Sequence, residues 1–292
     1  MTHGPVGGDD ASLFDDDASF NSGRTAVRIA TVAALGGLLF GYDSAVINGA
    51  VSSIQEDFGI GNAELGFAVA SALLGAAVGA MTAGRIADRI GRIAVMKIAA
   101  ALFLISAFGT GLAHDVWTVV LFRIVGGIGV GVASVIAPAY IAETSPPQIR
   151  GRLGSLQQLA IVTGIFVALL SDFAIAAAAG GSNEPMAFGL DAWRWMFLAE
   201  ALPAVAYGVL AVTIPESPRF LIRVGDEQRA RDVLGQVLVD GIDTRISEIK
   251  RTIVREARSS FADLRKPGGG LLPIVWIGVA LSVFQQFVGI NV

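Results

Sequence analysis

The stretch AVRIATVAALGGLLFGYDSAVINGAV, residues 26–51, decides the fold class of this chain. It is long and apolar enough to cross a membrane as a helix, which takes about 20 mostly apolar residues. Beyond Arg28, its single charge is Asp43. A carboxylate in hydrocarbon costs several kcal/mol unless it is paired, protonated or hydrated. Asp43 is therefore a candidate functional residue, and such acids most often serve proton or cation movement.

The composition predicts a membrane protein throughout. The 292 residues are 53% hydrophobic and only 16% charged, whereas soluble domains carry roughly 25% charged residues. The net charge of −4 argues against a nucleic-acid partner, which would require a basic face. The absence of cysteine excludes disulfides and thiolate metal sites, and two histidines are too few for a metal cluster. We expect no metal and no cofactor other than a coupling proton.

Seven apolar runs are long enough to be membrane helices, and they lie near residues 27–50, 65–84, 94–113, 117–141, 154–176, 195–214 and 271–292. Residues 1–25 carry five Asp before their first Arg and are predicted to be a disordered acidic tail. Residues 26–214 would then form a six-helix bundle. The seventh run, within 271–292, reaches the end of the sequence without a polar flank. We therefore expect the sequence to be a fragment that stops in or at the end of a seventh helix.

Basic residues predict the orientation. With the N-terminus in the cytoplasm, nineteen of the 21 Lys and Arg lie inside; Arg123 lies within a span and only Arg194 lies outside. We accordingly expect a multi-pass protein of the plasma membrane with a cytoplasmic N-terminus.

Residues 215–270 are predicted to be a cytoplasmic helical linker. Apolar residues recur every three or four positions from Ile242 to Leu264, which is typical of an amphipathic helix, and Asp226 is placed to cap a second helix that reaches Val239. Two interpretations stay open: these helices lie on the membrane surface, or they pack beneath the bundle as a latch.

Several motifs occur in an order that resembles the sugar porter branch of the major facilitator superfamily. They cover the chain from about residue 30 to 292: GGLLFGYDSAVINGA (36–50), GRIADRIGRI (84–93), FRIVGGIGVG (122–131), PAYIAETSPPQIRGRLGSLQQ (138–158), WRWMF (193–197), PESPRFL (215–221) and QQFVGIN (285–291). In the second motif, the usual last basic residue is Ile93 here. The resemblance implies an all-α major facilitator fold, of which this chain would supply the first six helices, the linker and the start of helix seven out of twelve.

Three charges inside the apolar spans are interpreted together: Asp43, Arg123 and Glu200. Two acids and one cation are compatible with hydrocarbon if they share a site in which Arg123 neutralises one carboxylate and the other holds a proton. In proton-linked sugar porters, the resemblance implies that the position of Asp43 is the coupling acid. The competing interpretation is a static ion cluster that fixes helix packing, and Glu200 alone could instead extend to the membrane interface.

Amide side chains in the spans are candidates for binding a sugar, because hydroxyl groups need neutral donors and acceptors together. The resemblance implies sugar contact for Gln158, Gln285, Gln286 and Asn291. Ile161 and Ile165 follow Gln158 on the same helix face and would supply apolar contact. The competing interpretation is polar bonding between helices.

Charged residues of both signs gather at one predicted membrane edge and are interpreted as a cytoplasmic gate: Asp88, Arg89, Arg92, Glu143, Arg150, Glu216 and Arg219. One exposed ion pair stabilises by about 1 kcal/mol or less, so only a network of them could bias a conformational equilibrium. Arg85 and Arg223 are interpreted as ordinary cytoplasmic charge.

The function expected from the sequence is import of a sugar together with a proton by alternating access, without catalysis. The expected partners are the sugar, the proton and the lipid bilayer; the oligomeric state stays open. Three alternatives remain: a passive sugar facilitator, a polyol or inositol symporter, and a transporter-like sugar sensor.

Overall fold

The computed structural model describes residues 10–146, 148–238, 240–257 and 272–287, and these ranges contain helices and turns but no β-strand. The α-helices are α1 Asp10–Phe58, α2 Asn62–Ile90, α3 Arg92–Gly111, α4 Val116–Thr144, α5 Arg150–Ala179, α6 Ala192–Ala199, α7 Ala201–Ala211, α8 Pro218–Arg223, α9 Glu227–Gly235, α10 Ile242–Ala257 and α11 Pro273–Phe287, with a 3₁₀ turn at Ala187–Gly189. The all-α prediction is confirmed.

Side-chain caps explain where several helices begin. The Asp115 carboxylate accepts a hydrogen bond from the backbone N–H of Thr118 at 2.9 Å and starts α4. Asp226, the predicted cap, accepts from the N–H of Arg229 at 3.2 Å and starts α9. The hydroxyl of Ser217 does the same for α8. Each acceptor satisfies a backbone donor that has no partner within its own helix.

Five of the described helices are long and apolar enough to cross a membrane, by length and composition: Gly23–Phe58 within α1, α2, α3, α4 and α5. They correspond to the first five predicted spans. α1 itself begins at Asp10, so the part of the predicted disordered tail from residue 10 onward is helical.

The sixth predicted span consists of two helices, α6 and α7, that meet at Glu200. Pro203 has no N–H, so the carbonyl of Ala199 cannot receive the usual bond from the residue four positions later. The N–H of Glu200 bonds to the carbonyl of Phe197, three residues back. The predicted sixth span is therefore helical with one interruption, which falls at the one acid in this segment.

α2 and α4 pack at very short distance, as their glycines predict. A Cβ added to Gly75 would lie 2.1 Å from the carbonyl oxygen of Ile124, and one added to Gly127 would lie 2.0 Å from that of Ala72. Since each helix offers a glycine to the other's backbone, the two axes approach more closely than larger residues allow.

The main apolar core lies among α1, α3, α4 and α7, with Leu39, Phe103, Ile136, Tyr140 and Tyr207 among its buried members. α5 packs mainly against α1. α2 and α5 keep long exposed apolar faces, with Leu73, Met81, Phe166 and Phe173 more than half exposed. Such faces suit a hydrocarbon environment.

Two compact units divide between residues 242 and 243. Residues 1–242 contain α1 to α9. Residues 243–292 contain nearly all of α10 and the helix α11. The amphipathic pattern of α10 is helical as predicted up to Ala257, with Arg245 paired to Glu248 at 3.0 Å on its polar side; its predicted continuation to Leu264 lies outside the described residues. In the predicted continuation of α9, residues 236–238 are not helical, and Val239 lies outside the described residues.

Candidate functional site

The structure brings Asp43 and Arg123 together inside the bundle. The guanidinium Nη1 of Arg123 on α4 donates to the backbone carbonyl of Asp43 on α1 at 3.0 Å and to its carboxylate Oδ1 at 3.3 Å. Asp43 is 1% exposed and Arg123 2% exposed. A pair this well buried is screened little by solvent. Removing either partner would leave an uncompensated buried charge.

Glu200 completes this charged group from the junction of α6 and α7. It is fully buried and lies within electrostatic range of both Asp43 and Arg123. In the described part of the chain, neither of its carboxylate oxygens has a hydrogen-bond partner, and neither does Nε of Arg123. Extension of Glu200 to a membrane interface is therefore excluded. The three residues hold one fixed positive charge and two acids, a balance that one bound proton would make neutral.

Close packing also sets the position of Asp43. A Cβ added to Gly126 of α4 would lie 3.0 Å from Oδ1 of Asp43 and 2.4 Å from Oγ of Ser106. Ser106 is buried on α3 and donates to the carbonyl of Phe122 at 2.9 Å. The glycine at 126 therefore makes room for the carboxylate of Asp43. Ser106 carried no signal that could single it out.

The predicted sugar-binding residues on α5 lie on one side of that helix. Gln158 and Ile165 are exposed and Ile161 is partly buried in the structure. The neighbour Gln157 is buried against Gly37 of α1, and neither atom of its amide group has a hydrogen-bond partner among the described residues. Gln285 and Gln286 belong to α11, but their side chains lie outside the described residues, as does the whole of Asn291. The sugar-binding roles stay predictions.

Most of the predicted gate residues form a connected cluster at the α2–α3 turn, called here the edge cluster. Arg92 donates to both carboxylate oxygens of Glu143, from Nε and Nη2, each at 2.9 Å, and pairs with Asp88 at 3.1 Å. Nε of Arg219 lies 3.7 Å from the same Glu143. Two-point contact between a guanidinium and a carboxylate fixes their relative orientation as well as adding energy.

Glu216 joins the edge cluster through the backbone. Its Oε1 accepts from the N–H of Arg92 at 2.9 Å and its Oε2 from the N–H of Ile93 at 3.2 Å, so it caps α3 from a distant part of the chain. Gly91 precedes these donors with φ of 95°, and a Cβ there would lie 2.3 Å from Oε2 of Glu216. Glycine satisfies both the left-handed backbone and the lack of space.

One predicted member, Arg89, stands apart from this cluster, and two unpredicted residues belong to it. Arg89 is exposed, with no ion pair to any described residue, and Arg150 donates to the carbonyl of Ser145 at 3.4 Å. Ser217 donates to Glu143 at 2.5 Å. Arg223, interpreted from sequence as ordinary charge, pairs with Asp88 at 2.7 Å. Arg223 of α8 and Asp88 of α2 are far apart in the sequence, so their pairing depends on the fold and could not be inferred from sequence spacing.

Comparisons with known proteins agree with this geometry. The family described as "Sugar (and other) transporter" matches residues 29–292. The chain is 56% identical over 270 residues to a protein described as a glucose transport protein of Synechocystis sp., covering 92% of this chain and 58% of the relative. It is 40% identical over 294 residues to the D-xylose-proton symporter of Escherichia coli, covering 90% of this chain and 58% of the relative. This chain thus spans somewhat more than half the length of these relatives.

Solved structures give the same result. The proton:xylose symporter XylE of the major facilitator superfamily, bound to 6-bromo-6-deoxy-D-glucose, superimposes with a TM-score of 0.81 at 38% identity, covering 92% of this chain and 61% of that one. An inward open conformation of XylE from E. coli gives 0.72 at 38% identity, covering 90% and 62%. The chain is thus a multi-pass membrane protein and belongs to the sugar transporter family of the major facilitator superfamily.

Proposed function

We propose that the protein containing this chain imports a monosaccharide together with a proton by alternating access. The observation that carries the proposal is the buried group of Asp43, Arg123 and Glu200, in which two acids face one cation. The relatives include proteins described as a glucose transport protein and a D-xylose-proton symporter, so glucose and xylose are the first candidate substrates.

The charge balance supports proton coupling. With Arg123 bonded to Asp43, the carboxylate of the second acid, Glu200, accepts no hydrogen bond from the described residues. A proton on either acid makes the group neutral, while its loss leaves a net negative charge in an apolar bundle. A conformational change that exposed the group to water on one side would let that proton leave on that side. Proton binding and the direction of the opening are then linked.

The sugar would be held by amides. Gln158 lies on an exposed face of α5 with Ile165 beside it, and we assign sugar contact to these residues together with Ile161, Gln285, Gln286 and Asn291. Amides can donate to and accept from hydroxyl groups at once, and the apolar isoleucines can contact the carbon face of a sugar ring.

The edge cluster is the proposed cytoplasmic gate. The bonds from Arg92 to Glu143 and from Glu216 to the start of α3 tie together the α2–α3 turn, the end of α4 and the segment before α8. We assign this end of the bundle to the cytoplasm because basic residues concentrate there. The N-terminus is accordingly cytoplasmic and the protein a component of the plasma membrane.

The experiment measures external pH in a lightly buffered suspension of cells that lack sugar uptake and express the complete gene product carrying this sequence. Glucose and xylose are added one at a time to wild type, Asp43→Asn and Asp115→Asn. Asp115 is an exposed acid outside the buried group and serves as the matched control. We expect one sugar to raise the external pH with wild type and Asp115→Asn but not with Asp43→Asn.

Labelled sugar uptake, measured in parallel, separates the alternatives. Uptake without a pH change, equal in all three proteins, would identify a passive facilitator and leave Asp43 as a structural charge. A pH response to inositol or another polyol, but to neither sugar, would identify a polyol or inositol symporter. Sugar binding without uptake in any of the proteins would favour a sensor.

A further inference from the structure

A second buried acid, Asp172, lies outside the group formed by Asp43, Arg123 and Glu200. It belongs to α5, two turns before that helix ends at Ala179, and is 4% exposed. Its carboxylate fills the space in front of Gly49 on α1, where an added Cβ would lie 2.7 Å from Oδ2. Gly49 is six residues beyond Asp43, which is about 9 Å along the helix axis toward Phe58.

The carboxylate of Asp172 has no hydrogen-bond partner among the described residues, at either oxygen. The hydroxyl groups of Ser171 and Tyr42 already form hydrogen bonds with other groups. Ser171 donates to the carbonyl of Ala168 at 2.8 Å, so the 2.7 Å bond between Ser171 and Tyr42 uses the Tyr42 hydroxyl as its donor. Neither hydroxyl has a hydrogen left for Asp172.

No cation compensates Asp172 in the part of the chain that the structure describes. Arg123 of α4 bonds to Asp43, and Arg194 of α6 pairs with Asp57 at 2.9 Å. The other cations of α1 and α5 are Arg24, Arg28, Arg150 and Arg152, and they lie at least 20 residues from Gly49 or Asp172, roughly 30 Å along their helices. Tyr42 of α1 lies within electrostatic range of both Asp172 and Glu200. Tyr42 is not a cation, so it cannot compensate a charged Asp172. A charged carboxylate in such surroundings would cost several kcal/mol, which a neutral acid avoids.

We propose that Asp172 is a second proton-binding site of the bundle, and that the contact between α1 and α5 at Gly49 forms around its neutral carboxylic acid. Release of this proton requires water at the carboxylate, and the backbone of Gly49 blocks that access while α1 and α5 stay packed. Proton occupancy at Asp172 and separation of α1 from α5 at their Phe58 and Ala179 ends are therefore linked. The site does not depend on which substrate the protein carries.

The test is infrared spectroscopy of the complete protein in lipid nanodiscs, with ¹³C in the side-chain carboxyl groups of aspartate. The carbonyl stretch of a protonated aspartic acid is followed against pH for wild type, Asp172→Asn, Asp43→Asn and Asp115→Asn. We expect a protonated-aspartate band in wild type that is lost in Asp172→Asn and kept in Asp43→Asn and Asp115→Asn. Identical bands in wild type and Asp172→Asn at every pH would overturn the proposal.

Two further measurements keep the test decisive. If Asp172→Asn does not fold, Gly49→Ala replaces it: the added Cβ displaces the carboxylate, so the band must change in frequency or in the pH at which it disappears, and an unchanged band refutes the site. Titration with Na⁺ at fixed pH tests whether the site binds sodium: loss of the protonated-aspartate band on adding Na⁺ would identify a sodium site instead. Because none of these readouts requires transport, failure here is distinguishable from failure of the proposed symport.

Discussion

Glu216 caps α3, the helix that begins at Arg92, although the two residues are 124 positions apart in the sequence. Its two carboxylate oxygens accept from two successive backbone N–H groups of α3. These donors would otherwise have no partner within the helix. The segment after α7 is thereby fastened to the turn between α2 and α3.

Glu216→Ala should lower stability by about 1–3 kcal/mol, because it leaves two donors at the start of α3 without an acceptor. Glu216→Gln keeps one carbonyl acceptor and should cost less. Thermal unfolding of the purified protein in detergent measures both. Glu248→Ala, which removes an exposed acid on α10, is the control and should change stability by no more than about 0.5 kcal/mol. Equal values for Glu216→Ala and Glu248→Ala would show that the cap contributes nothing.

Gly91→Ala should destabilise the protein by at least about 1–2 kcal/mol, since φ at this position is 95° and alanine is strained there. The clash of its Cβ with Glu216 adds to that cost. Gly84→Ala is a matched control seven residues earlier in α2, where the space around an added Cβ is open. There, alanine should stabilise by about 0.5–1 kcal/mol. The unfolding midpoints should therefore move in opposite directions, and a shift of the same sign in both would contradict the geometry.

Arg123→Met should cost about 3–5 kcal/mol, because it leaves the Asp43 carboxylate buried without its cation. Adding Asp43→Asn to that variant removes the stranded charge and should restore part of the stability. A double-mutant cycle from thermal unfolding measures the coupling, expected at about 0.5–3 kcal/mol. Simple additivity of the two substitutions would mean that the two side chains do not interact in the folded protein.

Asp115 provides a pH-dependent contribution outside the membrane. Hydrogen bonds from the hydroxyl and the N–H of Thr118 hold the pKa of its carboxyl group below the ordinary value of 3.8. A carboxyl group whose pKa is lower in the folded state stabilises it above the unfolded-state pKa, and that stabilisation is lost as the pH falls through the folded-state pKa. Wild type should exceed Asp115→Asn in stability at neutral pH, and the difference should shrink below pH of about 4. Unfolding midpoints measured against pH test this, and a constant difference would count against it.

Sequence patterns predicted the charged residues well where a charge interrupts an apolar run. Asp43, Arg123 and Glu200 were all found in this way, and the structure places them in one buried group. The same rule applies to Asp172 in the run 154–176, but that acid was overlooked. Its burial against Gly49 depends on the rotation of α5, which the sequence does not specify.

The edge cluster shows where sequence reasoning stops. Alternating charges indicated the cluster, but Arg89 points away from it while Arg223 and Ser217 enter it. Which side chain faces inward is decided by helix register and by the chain path after α7. A serine in a loop gives no advance sign of such a contact. For the interruption between α6 and α7, the sequence signal is Pro203, three residues after Glu200.

The junction of α6 and α7 has a mechanical consequence. A helix bends most readily where a main-chain hydrogen bond is absent. Here the carbonyl of Ala199, directly before Glu200, lacks its bond, and the eight helical residues of α6 end at this point. α6 is about 12 Å long. If α6 tilts relative to α7, the bend occurs next to the residue that carries the buried carboxyl group. Such a tilt would change the distance from the Glu200 carboxyl group to Asp43 on α1 and Arg123 on α4. A displacement at the Trp193 end of α6 would therefore change the electrostatic energy at the centre of the bundle.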